Sequence, residues 1–296
     1  MSRTPTLLFC AGAVKAGTSW LYDYLRDHPE THFRTIKEMQ YFDRLAKGTL
    51  RGRIRKLDEE IARLEREIEG GKARFLPWTL RQIADRQDYR QLLQSGQEPT
   101  ARYLRYLTEG AGDKRVAGEF TPEYGLLPVG KMQAINDLAP DVRWLLVLRD
   151  PVSRLWSHVR MLVRRMKPAP EAFAGACVVK FDEVLAGQAQ DVTERGDYAA
   201  IHGRLTQAVA PEKRLVMFYE HLISSAGISQ VTGFLGLSAH PAPLDKVVHG
   251  GVDVEMPMAL RARARDWLRP QYAFVAATFG LPAEWESFPE FRSEVA

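Results

Sequence analysis

Gly12 and Gly17 enclose Lys15, directly after an apolar run, Leu7-Leu8-Phe9-Cys10-Ala11, and ahead of a helical pattern of Trp20, Leu21, Tyr24 and Leu25. A strand, a glycine turn and a helix start make an anion-binding device, because the first amides of a helix have no internal acceptor and its dipole favours negative charge there. Glycine lets the backbone curl round phosphate oxygens without a Cβ in the way. The Gly12-x4-Gly17 spacing also occurs in triphosphate loops, where a lysine must follow the second glycine; here that position is Thr18. The lysine lies ahead of Gly17 instead, so one ammonium still faces a terminal phosphoryl or sulfuryl group.

A second device stands far along the chain. Asp141 to Leu148 reads as a buried strand, followed by Arg149-Asp150-Pro151 and then Val152 to His158. Asp150 suits a helix N-cap and Pro151 the first helical position, so Arg149 stands at the strand tip and Ser157 two turns into the helix. Ligands of open α/β sheets bind outside the carboxyl ends of the strands, which is where Lys15 and Arg149 both belong.

These segments resemble sulfotransferases that use 3′-phosphoadenosine 5′-phosphosulfate (PAPS), in particular the bacterial and heparan-sulfate, Golgi-type branch. Lys15-Ala16-Gly17-Thr18-Ser19-Trp20-Leu21 is similar to their 5′-phosphosulfate loop, and Leu148 to His158 to their 3′-phosphate motif. The resemblance implies that Lys15, Ala16, Gly17, Thr18, Ser19 and Trp20 bind the 5′ side of the donor, while Arg149 and Ser157 hold its 3′-phosphate. Lys37-Glu38-Met39-Gln40-Tyr41-Phe42 resembles the segment with the catalytic glutamate, which makes Glu38 the expected base and Lys15 its catalytic partner. Gly118 to Tyr124 resembles the substrate-cleft strand and turn, and Arg214 to Leu222 with Val231 to Leu237 the late strand and helix. Glu119 and Glu123 are reserve carboxylates, Glu119 also a candidate partner for Lys15 or Arg149. The stretch from Val247 to Asp253 lacks the basic-glycine element that closes over the cofactor in animal enzymes. The implied reaction is sulfuryl transfer from PAPS to an acceptor hydroxyl, leaving 3′,5′-adenosine bisphosphate, with no metal required. Saccharide or glycolipid acceptors come first, lipids or small metabolite alcohols second.

The elements that must position these groups follow from hydrophobic pattern. Apolar runs near Leu7, Val116, Trp144 and Leu215, separated by stretches long enough for helices, predict an α/β fold: a P-loop-like three-layer sandwich with a central, mainly parallel sheet flanked by helices. The 296 residues, 45% hydrophobic and 26% charged, suit a single domain over 1–296, with a helical insertion at about 48–110 and a helical C-terminal segment at about 256–282 broken at Pro270. In the insertion, Ile54, Leu57, Ile61, Leu64 and Ile68 recur at helical steps and stop at Gly70-Gly71. A helix packed on its own domain is favoured over a short antiparallel or intersubunit coiled coil.

Two cysteines give no disulfide framework, no apolar run reaches a membrane span, and a first strand by Thr6 leaves no room for a signal peptide, so a cytoplasmic, bacterial-type enzyme is expected. The net charge of +4 suits an anionic cofactor without calling for nucleic acid. Contact with a membrane surface and either a monomer or a homodimer are compatible with the chain. The histidines and cysteines show no metal-ligand spacing. Arg160, Arg164 and Lys167 share one helix face and suit either solvent or an anionic acceptor, and Tyr41, Phe42, Tyr103, Tyr106 and Tyr124 are candidates to stack on sugar faces. His158 and Tyr198 read as packing residues. The alternatives are a P-loop nucleotide kinase or NTPase and a non-catalytic helical scaffold.

Overall fold

The computed structural model describes residues 4–95, 100–245, 254–285 and 288. Strands β1 (Thr6–Cys10), β2 (Thr31–Phe33), β3 (Val116–Phe120), β4 (Val142–Leu148) and β5 (Arg214–Phe218) form one sheet, in the order β2-β3-β1-β4-β5. Every pairing is parallel. All residues of β1 and β3 are buried, as is β4 except Arg143, as expected of apolar strands with both faces covered. Four strands lie where the apolar runs predict. The fifth, β2, is an addition: three residues at the sheet edge, set by pairing Thr31 with Val116 rather than by an apolar run of their own.

Helix α1 (Thr18–Asp27) leaves β1, and α2 (Tyr41–Ala46) follows β2. Helices α3 (Leu50–Glu69), α4 (Leu76–Gln94) and α5 (Thr100–Thr108) precede β3. Ile61 and Leu64 of α3 meet Ile83 of α4 in a small core of their own, and Arg86 pairs with Glu60 at 2.8 Å, so α3 packs within its own chain. Beyond β3 come a 3₁₀ turn at Pro122–Leu126 and α6 (Val129–Asn136), which leads to β4. From β4 the chain enters α7 (Pro151–Met166), then α8 (Phe173–Leu185), α9 (Gln190–Glu194) and α10 (Tyr198–Ala208) before β5. Helices α11 (Tyr219–Leu222) and α12 (Ser225–Leu235) follow, and then α13 (Met258–Trp267) and α14 (Arg269–Phe279), two helices with Pro270 at the start of the second. The stretch from Val247 to Asp253, where a closing element is expected to be lacking, lies outside the described residues.

Register decides where the site can be. Cys10 pairs with Phe120 and Leu148 with Phe218, so the carboxyl ends of β1, β3, β4 and β5 open on one edge of the sheet. The segments carrying Lys15, Thr121, Arg149 and Tyr219 all begin there. Among the described residues no helix is long and apolar enough to cross a membrane.

Candidate active site

The turn between β1 and α1 is built round Gly17, the N-cap of α1, at φ 81. A Cβ there would lie 2.5 Å from the ring of Tyr219, so both backbone conformation and neighbour require glycine. Ala16 and Thr18 are buried within the turn, and the amides of Lys15, Gly17, Thr18 and Ser19 have no acceptor among the described residues. Trp20 is also buried; its ring stacks on Tyr24 and its indole N–H donates to the Pro243 carbonyl at 3.2 Å. The turn therefore offers backbone donors and the Lys15 ammonium, with Trp20 spent on packing. Burial lowers the Lys15 pKa, and the charges of Arg164, Arg149 and Lys37 take it down to about 8 against the opposing pull of Glu38.

Arg149 meets this turn directly. Its guanidinium donates to the Lys15 carbonyl at 3.1 Å and lies 4.6 Å over the Tyr219 ring. The Tyr198 hydroxyl donates to the Arg149 carbonyl at 2.6 Å, and Asp150 caps α7 by accepting from the Ser153 amide at 2.7 Å. The second Asp150 oxygen accepts from Tyr272 at 2.5 Å, while the Asp150 amide donates to Glu220 at 3.2 Å. Ser157 is half-buried on α7. His158 is fully buried, and burial together with Arg154 and Arg195 pushes its pKa down to about 2, so it stays neutral and is no base.

Glu38 sits beyond β2 in a left-handed turn, φ 62, followed by Gln40 at φ 60. Its amide donates to the Phe120 carbonyl at 2.9 Å, which ties it to the end of β3. One carboxylate oxygen, Oε1, accepts from Lys37 Nζ at 2.7 Å, and the side chain is 40% exposed. Burial would raise its pKa, but Lys37, Arg165 and Lys56 outweigh that and hold it below the ordinary glutamate range. Lys15, Arg149 and Glu38, distant along the chain, come together at the carboxyl edge of the sheet, near enough for the charges of Arg149 and Glu38 to act on Lys15.

Two expectations are corrected. Glu119 partners neither Lys15 nor Arg149: it is buried, and its carboxylate accepts from the hydroxyls of Tyr103, Tyr124 and Thr121. Tyr41, Tyr103, Tyr106 and Tyr124 are each at most 5% exposed and cannot stack on an acceptor; only Phe42 of that group is partly open. Sequence reasoning missed Tyr219, which lies against Gly17 and Arg149, and Tyr272, which holds Asp150. For Tyr219 the signal was present, since it directly follows the tip of β5. For Tyr272, on a distant helix, there was none.

The parallel α/β sheet, with a glycine turn after β1 and Arg149 beside a capped helix at the end of the adjacent β4, has the architecture of a group-transfer enzyme. The sulfotransferase family profile matches residues 5–241, and the chain belongs to that family. It is a sulfotransferase, and its chemistry is sulfuryl transfer. Among solved structures it is similar to a sulfotransferase from Alicyclobacillus acidocaldarius, with 24% identity, TM-score 0.57, and 94% of this chain and 96% of that one covered. It also resembles the sulfotransferase domain of the Synechococcus PCC 7002 olefin synthase, with 16% identity, TM-score 0.50, and 95% and 98% covered. A third likeness is the sulfotransferase domain of the curacin biosynthetic pathway, with 15% identity, TM-score 0.51, and 92% and 99% covered. No protein of curated function matches the sequence.

Proposed function

We propose that the chain transfers a sulfuryl group from PAPS to an acceptor hydroxyl in the cytoplasm, with Glu38 as base and Lys15 as the charge at the donor's 5′ side. The observation that carries this reading is the bond from Arg149 to the Lys15 carbonyl, which joins the two anion-binding devices at the ends of adjacent strands. The residues fit such a donor: the amides of Gly17, Thr18 and Ser19 and the Lys15 ammonium suit the 5′-phosphosulfate, and Arg149 and Ser157 the 3′-phosphate. Ala16 and Trp20 shape the turn. When bound, PAPS supplies the transferable sulfuryl group and a phosphate leaving group.

Sulfuryl, like phosphoryl, passes through a loose transition state, so the protein contributes mainly position and charge. The Lys15 ammonium stabilises negative charge at the 5′ side. Glu38 Oε1 is held by Lys37, which leaves Oε2 to take the acceptor's proton, an effect typically worth about 10²–10⁴-fold. A saccharide or glycolipid hydroxyl is the favoured acceptor, and the cations Lys37, Lys56, Arg164 and Arg165 around Glu38 and Lys15 suit one bearing negative charge.

A kinase or NTPase would place a lysine after Gly17 and a strand-end aspartate on a metal, whereas Asp150 is spent on the α7 cap and Tyr272. The expected outcome in a thermal-shift comparison is that 3′,5′-adenosine bisphosphate stabilises the protein and ATP with magnesium does not. Glu38→Gln should bind the bisphosphate as the parent does and lose turnover. Stabilisation by ATP alone would overturn the donor, and an active Glu38→Gln the base.

A further inference from the structure

Beyond the backbone bond from the Glu38 amide to Phe120, the turn that carries Glu38 is held by hydroxyl groups. The amides of Tyr41 and Phe42, the first of α2, donate to the Tyr124 hydroxyl at 3.1 and 3.4 Å. The Gln40 amide donates to the Thr121 hydroxyl at 3.2 Å, and the Met39 carbonyl accepts from Tyr89 at 2.8 Å. Gln40, the N-cap of α2, supplies no side-chain cap, so these contacts replace it.

A phenol oxygen that accepts two amide protons must send its own proton elsewhere. Tyr124 sends it to Glu119 Oε1, which also accepts from Tyr103, and Thr121 sends its proton to Glu119 Oε2 at 3.0 Å. An ionised carboxylate only accepts, so it leaves the lone pairs of both hydroxyls facing the turn. We propose that Glu119 is a positioning residue for sulfuryl transfer: its buried carboxylate orients Tyr124 and Thr121 so that they hold the left-handed Glu38–Gln40 turn and aim Glu38 at the acceptor. This rests on Glu38 being the base.

Charge state gives the link a pH dependence. Burial raises the Glu119 pKa to about 7 against the lowering effect of its three hydroxyl donors. The titratable groups facing it are Tyr103 and Tyr106 of α5, Tyr124 of the 3₁₀ turn, Tyr89 of α4 and Asp43 of α2. The tyrosines are all raised well above 10 and stay neutral, whereas Asp43 is itself raised to about 6.

The test uses the full chain and PAPS alone, with water as acceptor, alongside hydrogen exchange of the Gln40, Tyr41 and Phe42 amides. In Glu119→Gln those amides should exchange at least about tenfold faster, and PAPS hydrolysis should fall by about 10–100-fold with affinity for 3′,5′-adenosine bisphosphate unchanged. The parent's hydrolysis rate should rise through about pH 7, and that limb should be missing from Glu119→Gln. Tyr124→Phe should reproduce the exchange and rate losses, which keeps the idea testable if Glu119→Gln folds poorly. Unchanged exchange and rate in Glu119→Gln, with Glu38→Gln inactive, would overturn the positioning role and leave the base intact. Full hydrolysis by Glu38→Gln would remove the base itself.

Discussion

Lys15 is a half-buried cation among other cations, and burial and its neighbours weaken its hold on its proton. Its pKa falls from 10.5 to about 8 because burial and then Arg164, Arg149 and Lys37 disfavour the ammonium. A depressed lysine contributes stability above its unfolded value and loses it as pH falls through about 8, so the ligand-free fold carries an unfavourable charge at neutral pH. An anionic donor reverses that preference. Affinity for 3′,5′-adenosine bisphosphate should therefore weaken above pH 8, by up to about tenfold per pH unit, as the free protein sheds the proton the complex requires. Calorimetric titration from pH 7 to 9.5 would read it. Lys15→Met should bind weakly with that pH dependence gone, yet melt no lower than the parent when empty; a lower melting point would show that Lys15 supports the fold.

At the scale of elements, the junction of β4 and α7 is where the chain concentrates its grip. Arg149 and Asp150 are held from the β1–α1 turn, from Tyr198 of α10, from Glu220 of α11 and from Tyr272 of α14. Asp150→Ala removes an N-cap and the partner of a buried tyrosine at once, a cost of about 1–2 kcal/mol for the cap alone. It should lower the melting temperature by a few degrees and weaken bisphosphate binding as Arg149 loses its frame. Tyr272→Phe should keep the cap and show the smaller loss on both readings; equal losses would mean that the cap contributes nothing. The cap itself was legible, because Asp150-Pro151 after an apolar strand carries its own local signal. The three residues of β2 were not, since pairing with β3 makes them a strand. Glu119 was seen at its strand end but given the wrong partners, because Tyr103 reaches it from α5, an element whose docking no local pattern encodes. Local chemistry marks caps, turns and apolar strands; contacts between elements decide which buried group answers which.

Across the whole molecule, three buried groups couple stability to pH, Glu119 and Asp43 in one direction and His158 in the other. Glu119 is raised from 4.5 to about 7, so its folded state keeps a proton that the unfolded chain releases, and stability falls as pH climbs between those values. Asp43, raised from 3.8 to about 6 by burial and by Glu123, acts in the same direction. His158 is depressed from 6.5 to about 2, so the unfolded chain takes up a proton that the folded one refuses, and stability falls as pH drops below 6.5. Between pH 4.5 and 6.5 the contributions of Glu119 and His158 oppose and largely cancel. Glu119→Gln removes one arm. Its stability relative to the parent should grow by about 1.4 kcal/mol per pH unit from 4.5 toward 7 and then level off, as urea unfolding at a series of pH values would show. A flat difference would mean that Glu119 titrates at its ordinary value in the fold. The rising difference, joined to lost hydrolysis, would mean that the parent keeps a buried charge at a cost in stability because the turn beneath Glu38 needs an acceptor that never donates.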